Sequence, residues 1–426
     1  MRINIFYILL SILIIGCDRQ SKEIVSSPGD YNKYLAVQET RTTSPYFELW
    51  NSKITADSVE LPSFGPVAGQ YNSFFESTGD VEYLKKAEKT LEKAVEVANI
   101  DKDKYYRSLA RNYISQHRFK EALVYADSAS YLGKDLPENQ HLLFDVHMEL
   151  GHYIKADSLQ KLFADPYDFN YMIRAAKWND YKGDLDRTIM FMEKARQKAE
   201  ESKNRSLLLW VYSNIADYYG HAGRIKESYD HYLKTLEIDP ANSYAKKGIA
   251  WILFSHEDNT EEALRILDSI LVSHQSPDLY LLKAEIAESN GNSKLKNESL
   301  DNYIKLTSKP EYGEMYNAHN LKVYLAENGN EQKALQLARK EIANRATPET
   351  YQMLALAELE NGNKAEALQI IENNVAGKTF EPEAQLAMAK VYKANNRKSE
   401  VERLKGELLE AKFELGPVTY KEIQAL

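Results

Sequence analysis

The stretch Leu209–Asn242, LWVYSNIADYYGHAGRIKESYDHYLKTLEIDPAN, decides the fold. Tyr212, Ile215, Ala216 and Tyr219 stand at three- and four-residue spacing, which is one face of a helix. The run breaks over His221–Arg224, where Gly223 supplies the left-handed conformation a tight turn needs. Ser228, Tyr232 and Leu236 then share one face of a second helix. Asp239 and Pro240 end it, because proline cannot continue the hydrogen-bond ladder. Small residues fall where the two helices must approach closely, and aromatics fall where they wedge apart.

Working outward, the same phrase recurs from about Phe64 onward. Turn glycines stand at Gly79, Gly151, Gly183, Gly223, Gly291, Gly329 and Gly362, at single or double steps of about 34 residues. Members of the series are missing at His117 and near Asp258. Lys120-Glu-Ala-Leu123, Glu261-Glu-Ala-Leu264, Gln332-Lys-Ala-Leu335 and Ala365-Glu-Ala-Leu368 each open a second helix just after a turn. The alanine allows close approach to the first helix. About ten units follow, starting near Gly65, Asp103, Pro137, Phe169, Leu209, Tyr244, Pro277, Met315, Pro348 and Pro382. The fourth is lengthened at Lys198–Ser206, where the array could split, and the seventh at Asn292–Glu298. The last uses Asn395-Asn396 at its turn, and its charged second helix suits a solvent-facing end cap.

Tyr212, Ile215, Ala216, Tyr219, Ser228, Tyr232 and Pro240 fall where the tetratricopeptide pattern has Trp, Leu, Gly, Tyr, Ala, Phe and Pro. The segment therefore resembles a tetratricopeptide repeat. The resemblance implies an all-α solenoid, a right-handed superhelix of about ten helix-turn-helix units over residues 65–415, with a ligand-holding concave face. Residues 45–64 read as an N-terminal capping helix, with Ser44 as N-cap and Pro45 in the first turn. Residues 416–426 remain as a C-terminal tail.

Residues 1–16 read as a signal peptide: Arg2, then an apolar run from Ile3 to Ile15 too short to span a bilayer. The ending Ile14-Ile15-Gly16-Cys17 resembles the lipobox of bacterial lipoproteins. It implies that Cys17 is lipidated and becomes the first mature residue, anchoring the chain in the bacterial cell envelope, at the outer membrane. Cys17 is the single cysteine, so no disulfide forms within the chain. The polar segment 17–44 reads as a flexible tether, with Tyr31, Tyr34 and Leu35 able to form a short helix.

A formal net charge of −9 argues against a general affinity for nucleic acid. Twenty-nine tyrosines suit the seams between helices better than ligand stacking. No phosphate-binding or dinucleotide glycine motif is present. His256-Glu257 lacks the second histidine of a metalloprotease helix. The most metal-like grouping is His141, Asp145 and Glu149 along one helix, with His147 and His152 nearby. The plainer reading packs His147 in a seam and pairs His141 with Asp145, so no metal or other cofactor is assigned.

By the repeat register, the concave lining includes Arg107, Arg111, His141, Asp145, Arg174, Lys177, Trp210, Asn214 and Asp217. Arg107, Arg111, Arg174 and Lys177 form a positive stretch that could clasp a carboxylate in two-point fashion. It loosely resembles the carboxylate-clamping groove of chaperone-binding family members. The Lys and Asn pattern of that groove is absent, and Asp145 lies in its middle. The competing reading is that these charges neutralise one another across the groove. Farther along, Leu281, Leu356, Leu359 and Leu386 make the lining more apolar. The expected function is a non-enzymatic interaction scaffold holding a protein or peptide partner. A glycan-binding uptake lipoprotein or a metal-dependent enzyme acting through His141 and His152 are the alternatives.

Overall fold

The computed structural model describes residues 23–36, 42–55, 61–133, 136–327 and 329–426. Cys17 and the 1–16 leader lie outside them. Two short helices come first, α1 (Pro28–Leu35) and α2 (Pro45–Asn51). Ten antiparallel pairs follow. They are α3 (Leu61–Thr78) with α4 (Glu82–Val97), α5 (Lys102–Ser115) with α6 (Phe119–Leu132), and α7 (Pro137–Glu149) with α8 (Tyr153–Leu162). Next come α9 (Phe169–Tyr181) with α10 (Leu185–Ser202), α11 (Arg205–His221) with α12 (Ile225–Ile238), and α13 (Ser243–Trp251) with α14 (Thr260–Leu271). The last four are α15 (Pro277–Ser289) with α16 (Ser293–Thr307), α17 (Asn317–Ala326) with α18 (Glu331–Asn344), α19 (Pro348–Glu360) with α20 (Lys364–Asn374), and α21 (Pro382–Ala394) with α22 (Lys398–Glu410). A final helix, α23 (Lys412–Gln424), closes the chain. No strand occurs among the described residues. The fold is an all-α solenoid.

Local chemistry explains each pair. Proline occupies the first turn of α7, α15, α19 and α21, where its missing N–H costs nothing. Asp168, Asp184, Asn204 and Asn259 cap the helices that follow them through side-chain oxygens. Ala122, Ala263, Ala334 and Ala367 have no exposed surface, as close helix crossing requires. The turn within each pair places one residue at positive φ. Seven are glycines; His117, Asp258 and Asn396 take the left-handed conformation at the other three.

The array runs on through residues 198–206 without a split. The extra residues lengthen α10 and α11, joined through Lys203 at positive φ. Val211, Ile215 and Tyr219 of α11 share one core with Met192, Ala195 and Ala199 of α10.

Successive coils touch. The turn of the first pair meets the loop before α15, where Gln275 N–H donates to Thr78 O at 2.9 Å. The turn of the second pair meets the end of α18, where Asn344 Nδ2 donates to His117 O at 3.2 Å. Gly183, in the fourth turn, lies flush against Phe380; a Cβ there would sit 2.5 Å from the ring.

Three expected segments differ. Residues 23–36 are not a free tether. Helix α1 packs on α12 and α14, burying Tyr31, Tyr34 and Leu35 in the largest core. Glu257 accepts from the backbone N–H groups of Val25 and Ser26 at 2.9 and 2.8 Å, and from Ser26 Oγ. Tyr31 Oη donates to Glu262 at 2.7 Å. Buried aromatics with paired hydroxyls outweigh the entropy of ordering so short a segment. The capping helix is α2 alone, with Phe47 packed on Val67 and Phe74, and residues 61–64 already belong to α3. The tail is helical too. Helix α23 bends at Gly416 (φ 75°, ψ 166°), and the bend lets the chain resume its helix past Pro417. It lies against α11, α15, α21 and the wide turn 252–256 that extends α13.

That wide turn is a single π-helical segment, Ile252–His256. It engages both chain ends. Ser255 Oγ and Trp251 Nε1 donate to Phe413 O at 2.8 and 3.0 Å, and the His256 ring meets Glu23 O at 2.9 Å.

Candidate binding groove

The first helices of the pairs form the inner wall, and charge is handled differently along it. In the early pairs the groove cations are already engaged. Arg107 is buried, donating to Asp103 at 2.6 Å and to Asn139 Oδ1 at 2.8 Å. Arg174 binds Asp145 at 2.5 Å and the carbonyl oxygens of His141 and Asn170. Lys177 binds Glu149 at 2.7 Å, and Arg345 approaches the same carboxylate from the next coil at 3.7 Å. Burial pushes the Glu149 carboxyl up, but Lys177 and Arg345 outweigh it and hold it low. Arg107, Arg174 and Lys177 thus each hold a carboxylate partner within the wall, Asp103, Asp145 and Glu149. Arg111 lies beside Asp145, Arg174 and Arg107, with no direct ion pair among the described residues.

The metal-like grouping does not converge. His141 packs edge-on against Phe163, with ring centroids 4.6 Å apart. His147 and His152 meet through their Nδ1 atoms at 3.1 Å. Asp145 and Glu149 face Arg174 and Lys177. Among the described residues no three His, Cys, Asp or Glu side chains are grouped to hold a metal ion.

Of the remaining expected residues, Trp210 meets the Phe169 ring at 6.1 Å, and Asn214 Nδ2 donates to Trp210 O within its own helix. Asp217 stands elsewhere, in a cavity of about 420 Å³. Its walls come from α11, α12, α13, α15 and α17. Leu281, Leu282 and Val323 give it an apolar lining, and Trp251 and Tyr244 add aromatic walls.

The polar groups of this cavity fall into two sets. In the first, every charge has a partner. Tyr232 and Tyr244 both donate to the Asp217 carboxylate, Tyr232 at 2.5 Å. Lys247 binds Asp278 at 2.6 Å, and Lys322 binds both oxygens of Glu383 at 2.7 Å. Burial raises the Asp278 carboxyl, yet Lys247 outweighs it and brings it down to about 2.

In the second set, two buried atoms have no partner: Glu285 Oε1 and His319 Nδ1. Burial, helped by Glu288 and Glu383 against Lys322, pushes Glu285 up to about 7. Burial beside Lys322 pushes His319 down to about 4, so its ring is neutral at pH 7. Gly416 of the C-terminal segment covers the Glu285 carboxylate; a Cβ there would sit 2.8 Å from Oε1. More carboxylates follow around the wall. Burial, then Asp180, Glu414, Glu349 and Glu383, push Glu381 up to about 7. Glu414 and Asp180 are raised as well, by burial first, with His221 opposing.

Sequence reasoning reached Asp217 and Leu281 but not Tyr244, Trp251, Glu285, His319 or Lys322. All five occupy first helices at spacings of three, four or seven, so the repeat register points at them without singling them out.

No protein-family model matches the chain, and no curated protein matches it. Among solved structures it is similar to a human IFIT1 dimer with m7Gppp-AAAA, at 15% identity and TM-score 0.46, over 73% of this chain and 71% of that one. It is also similar to a tetratricopeptide repeat protein from Parabacteroides merdae ATCC 43184, at 16% identity and TM-score 0.40, over 59% and 95% of the two chains. A monomeric IFIT1 mutant with the same capped oligonucleotide gives 15% identity and TM-score 0.42, over 90% and 96%.

Proposed function

We propose that the chain is a non-enzymatic interaction scaffold of the bacterial cell envelope, lipid-anchored at Cys17, whose inner groove holds a segment of a protein partner. The observation that carries this reading is the cavity between α11, α13, α15 and α17. It is assembled by four successive repeats, and no one of them could form it alone. Its apolar lining and few convergent polar groups suit a side chain presented by an extended or helical segment.

A photo-crosslinking residue at Leu281, inside the groove, tests it in intact cells against one at Ile154, which is 86% exposed on α8. The expected result is a discrete protein adduct from Leu281 and none from Ile154. Equal yields from both positions, or none from Leu281, overturn the groove reading. Anchoring is tested apart: Cys17→Ser should move the protein from the membrane fraction to the soluble one, and unchanged membrane retention would refute it.

A further inference from the structure

We propose that the cavity between α11, α13, α15 and α17 is the seat of an alkylammonium group, the lysine side chain of the bound segment, held by Glu285 and His319 beside Trp251. This rests on the groove reading and names the chemistry of what enters.

The argument is one of unsatisfied polarity. The cations lining the cavity, Lys247 and Lys322, are bound to Asp278 and Glu383, so an anionic guest would find no free positive partner. What the cavity offers instead is a carboxylate oxygen and, with the neutral ring as its Nε2–H tautomer, an imidazole acceptor. Glu285 Oε1 and His319 Nδ1 are two of only six buried side-chain polar atoms without a partner among the described residues, and both line this cavity. A buried acceptor left unpaired weakens the fold, and a donor entering the site recovers that loss. An ammonium supplies three N–H donors and no acceptor, the complement of that pair. Leu281, Leu282 and Val323 match a methylene stem, and Trp251 adds an aromatic wall, while the Tyr244 ring already carries Lys247 Nζ at 5.6 Å from its centroid.

The groups facing Glu285 are known on each side. Glu288 lies on its own helix, Lys322 on α17, Glu383 on α21, and Trp251 with Gly416 cover it. The carboxyl is pushed up by burial and by its acidic neighbours, so an incoming cation draws it into the ionised form and releases a proton. Guest binding therefore strengthens as pH rises through 7.

The probes are a ten-residue alanine–serine peptide with one central lysine, the same peptide with norleucine there, and 1,5-diaminopentane. Titration calorimetry of the full chain reads affinity and, from two buffers of different ionisation enthalpy, proton release. The lysine peptide should bind at least tenfold tighter than the norleucine peptide and release protons at pH 7. Glu285→Gln should remove the preference and the proton release while unfolding no earlier than the parent. Glu402→Gln, an equal charge change at an exposed site on α22, should alter neither. Equal binding of the two peptides, or equal weakening by the two variants, overturns the ammonium seat and leaves the groove reading standing. Diaminopentane binding with the lysine peptide inert overturns the side-chain source in favour of a free amine. If no peptide slows amide exchange in α13, α15 or α17, both readings fall.

Discussion

Along the second to fourth pairs the groove cations other than Arg111 are tied to carboxylates, whereas from the fifth pair onward carboxylates face the same groove with too few cations to match. Arg174 with Asp145 and Lys177 with Glu149 represent the first region; Glu285, Glu381 and Glu414 represent the second. The first carries its charges in closed pairs and has little left to offer a guest. The second holds its carboxyls above their usual range, a cost in stability that a bound cation would relieve. A net charge of −9 is silent about this division, which depends on which coil faces which.

The comparison breaks most visibly at Glu149. Replacing it with Gln leaves Lys177 without its carboxylate and takes from Arg345 the second of two, Glu341 remaining at 3.2 Å. The expected loss is about 3 kcal/mol, read as a fall in the urea midpoint. An unchanged midpoint would mean that the paired region is not held by its pairs.

At Glu285 the effect has the opposite sign. Its folded carboxyl, at about 7, lies above the ordinary 4.5, so the folded state keeps a proton that the unfolded chain releases between those values. Stability from this group falls as pH rises from 4.5 to 7. Glu149 is held low instead, so its contribution is present above the ordinary carboxyl range and is lost as pH drops through its depressed folded value. His147 and His319, both held at about 4, also destabilise the fold as pH drops from 6.5. The difference between parent and Glu285→Gln is therefore the proper measurement. The variant should gain about 2 kcal/mol over the parent at pH 8 relative to pH 5, after allowing for partial exposure. A flat difference across that range would refute the raised carboxyl.

Gly416→Ala tests what keeps the second region enclosed. The residue sits at φ 75°, and a Cβ would lie 2.8 Å from both Glu285 Oε1 and the Trp251 ring. Strain and overlap should cost about 1–2 kcal/mol and loosen α23, read as faster amide exchange over 412–424. Exchange at the parent rate would show that α23 does not depend on that contact.

Much of this architecture was legible because it is local. The helical periods, the small residues at crossings and the turn positions recur in each unit, so even His117 and Asp258, which lack the glycine, stand at the right place in the count. The two chain ends were not legible. Tyr31, Tyr34 and Leu35 have helical spacing, but Glu262, which pairs with Tyr31, and Glu257 and Tyr229, which pair with Ser26 and Ser27 before the helix, lie some two hundred residues away. Gly416-Pro417 reads as a stop, and only the surface beneath shows why the helix resumes. The site was half legible for the same reason. Register places Glu285 and His319 on the inner wall, but their lack of partners follows from contacts between coils, which no local pattern encodes.

The smallest effect sharpens the comparison within the first region. Arg111 lies among Arg107, Arg174 and Asp145, and burial lowers its pKa, with the two arginines adding to the effect and Asp145 opposing. It makes no direct ion pair among the described residues, so Arg111→Gln removes repulsion from two cations and attraction to two carboxylates, Glu138 and the Asp145 that already serves Arg174. These terms nearly cancel, and the urea midpoint should move by no more than about 0.5 kcal/mol in either direction. Arg174→Gln, two pairs along the array, would instead strip Asp145 of its partner and should cost several times more. Equal losses from the two would mean that pairing does not set the value of a charge on this wall, and the contrast between the two regions would lose its physical basis.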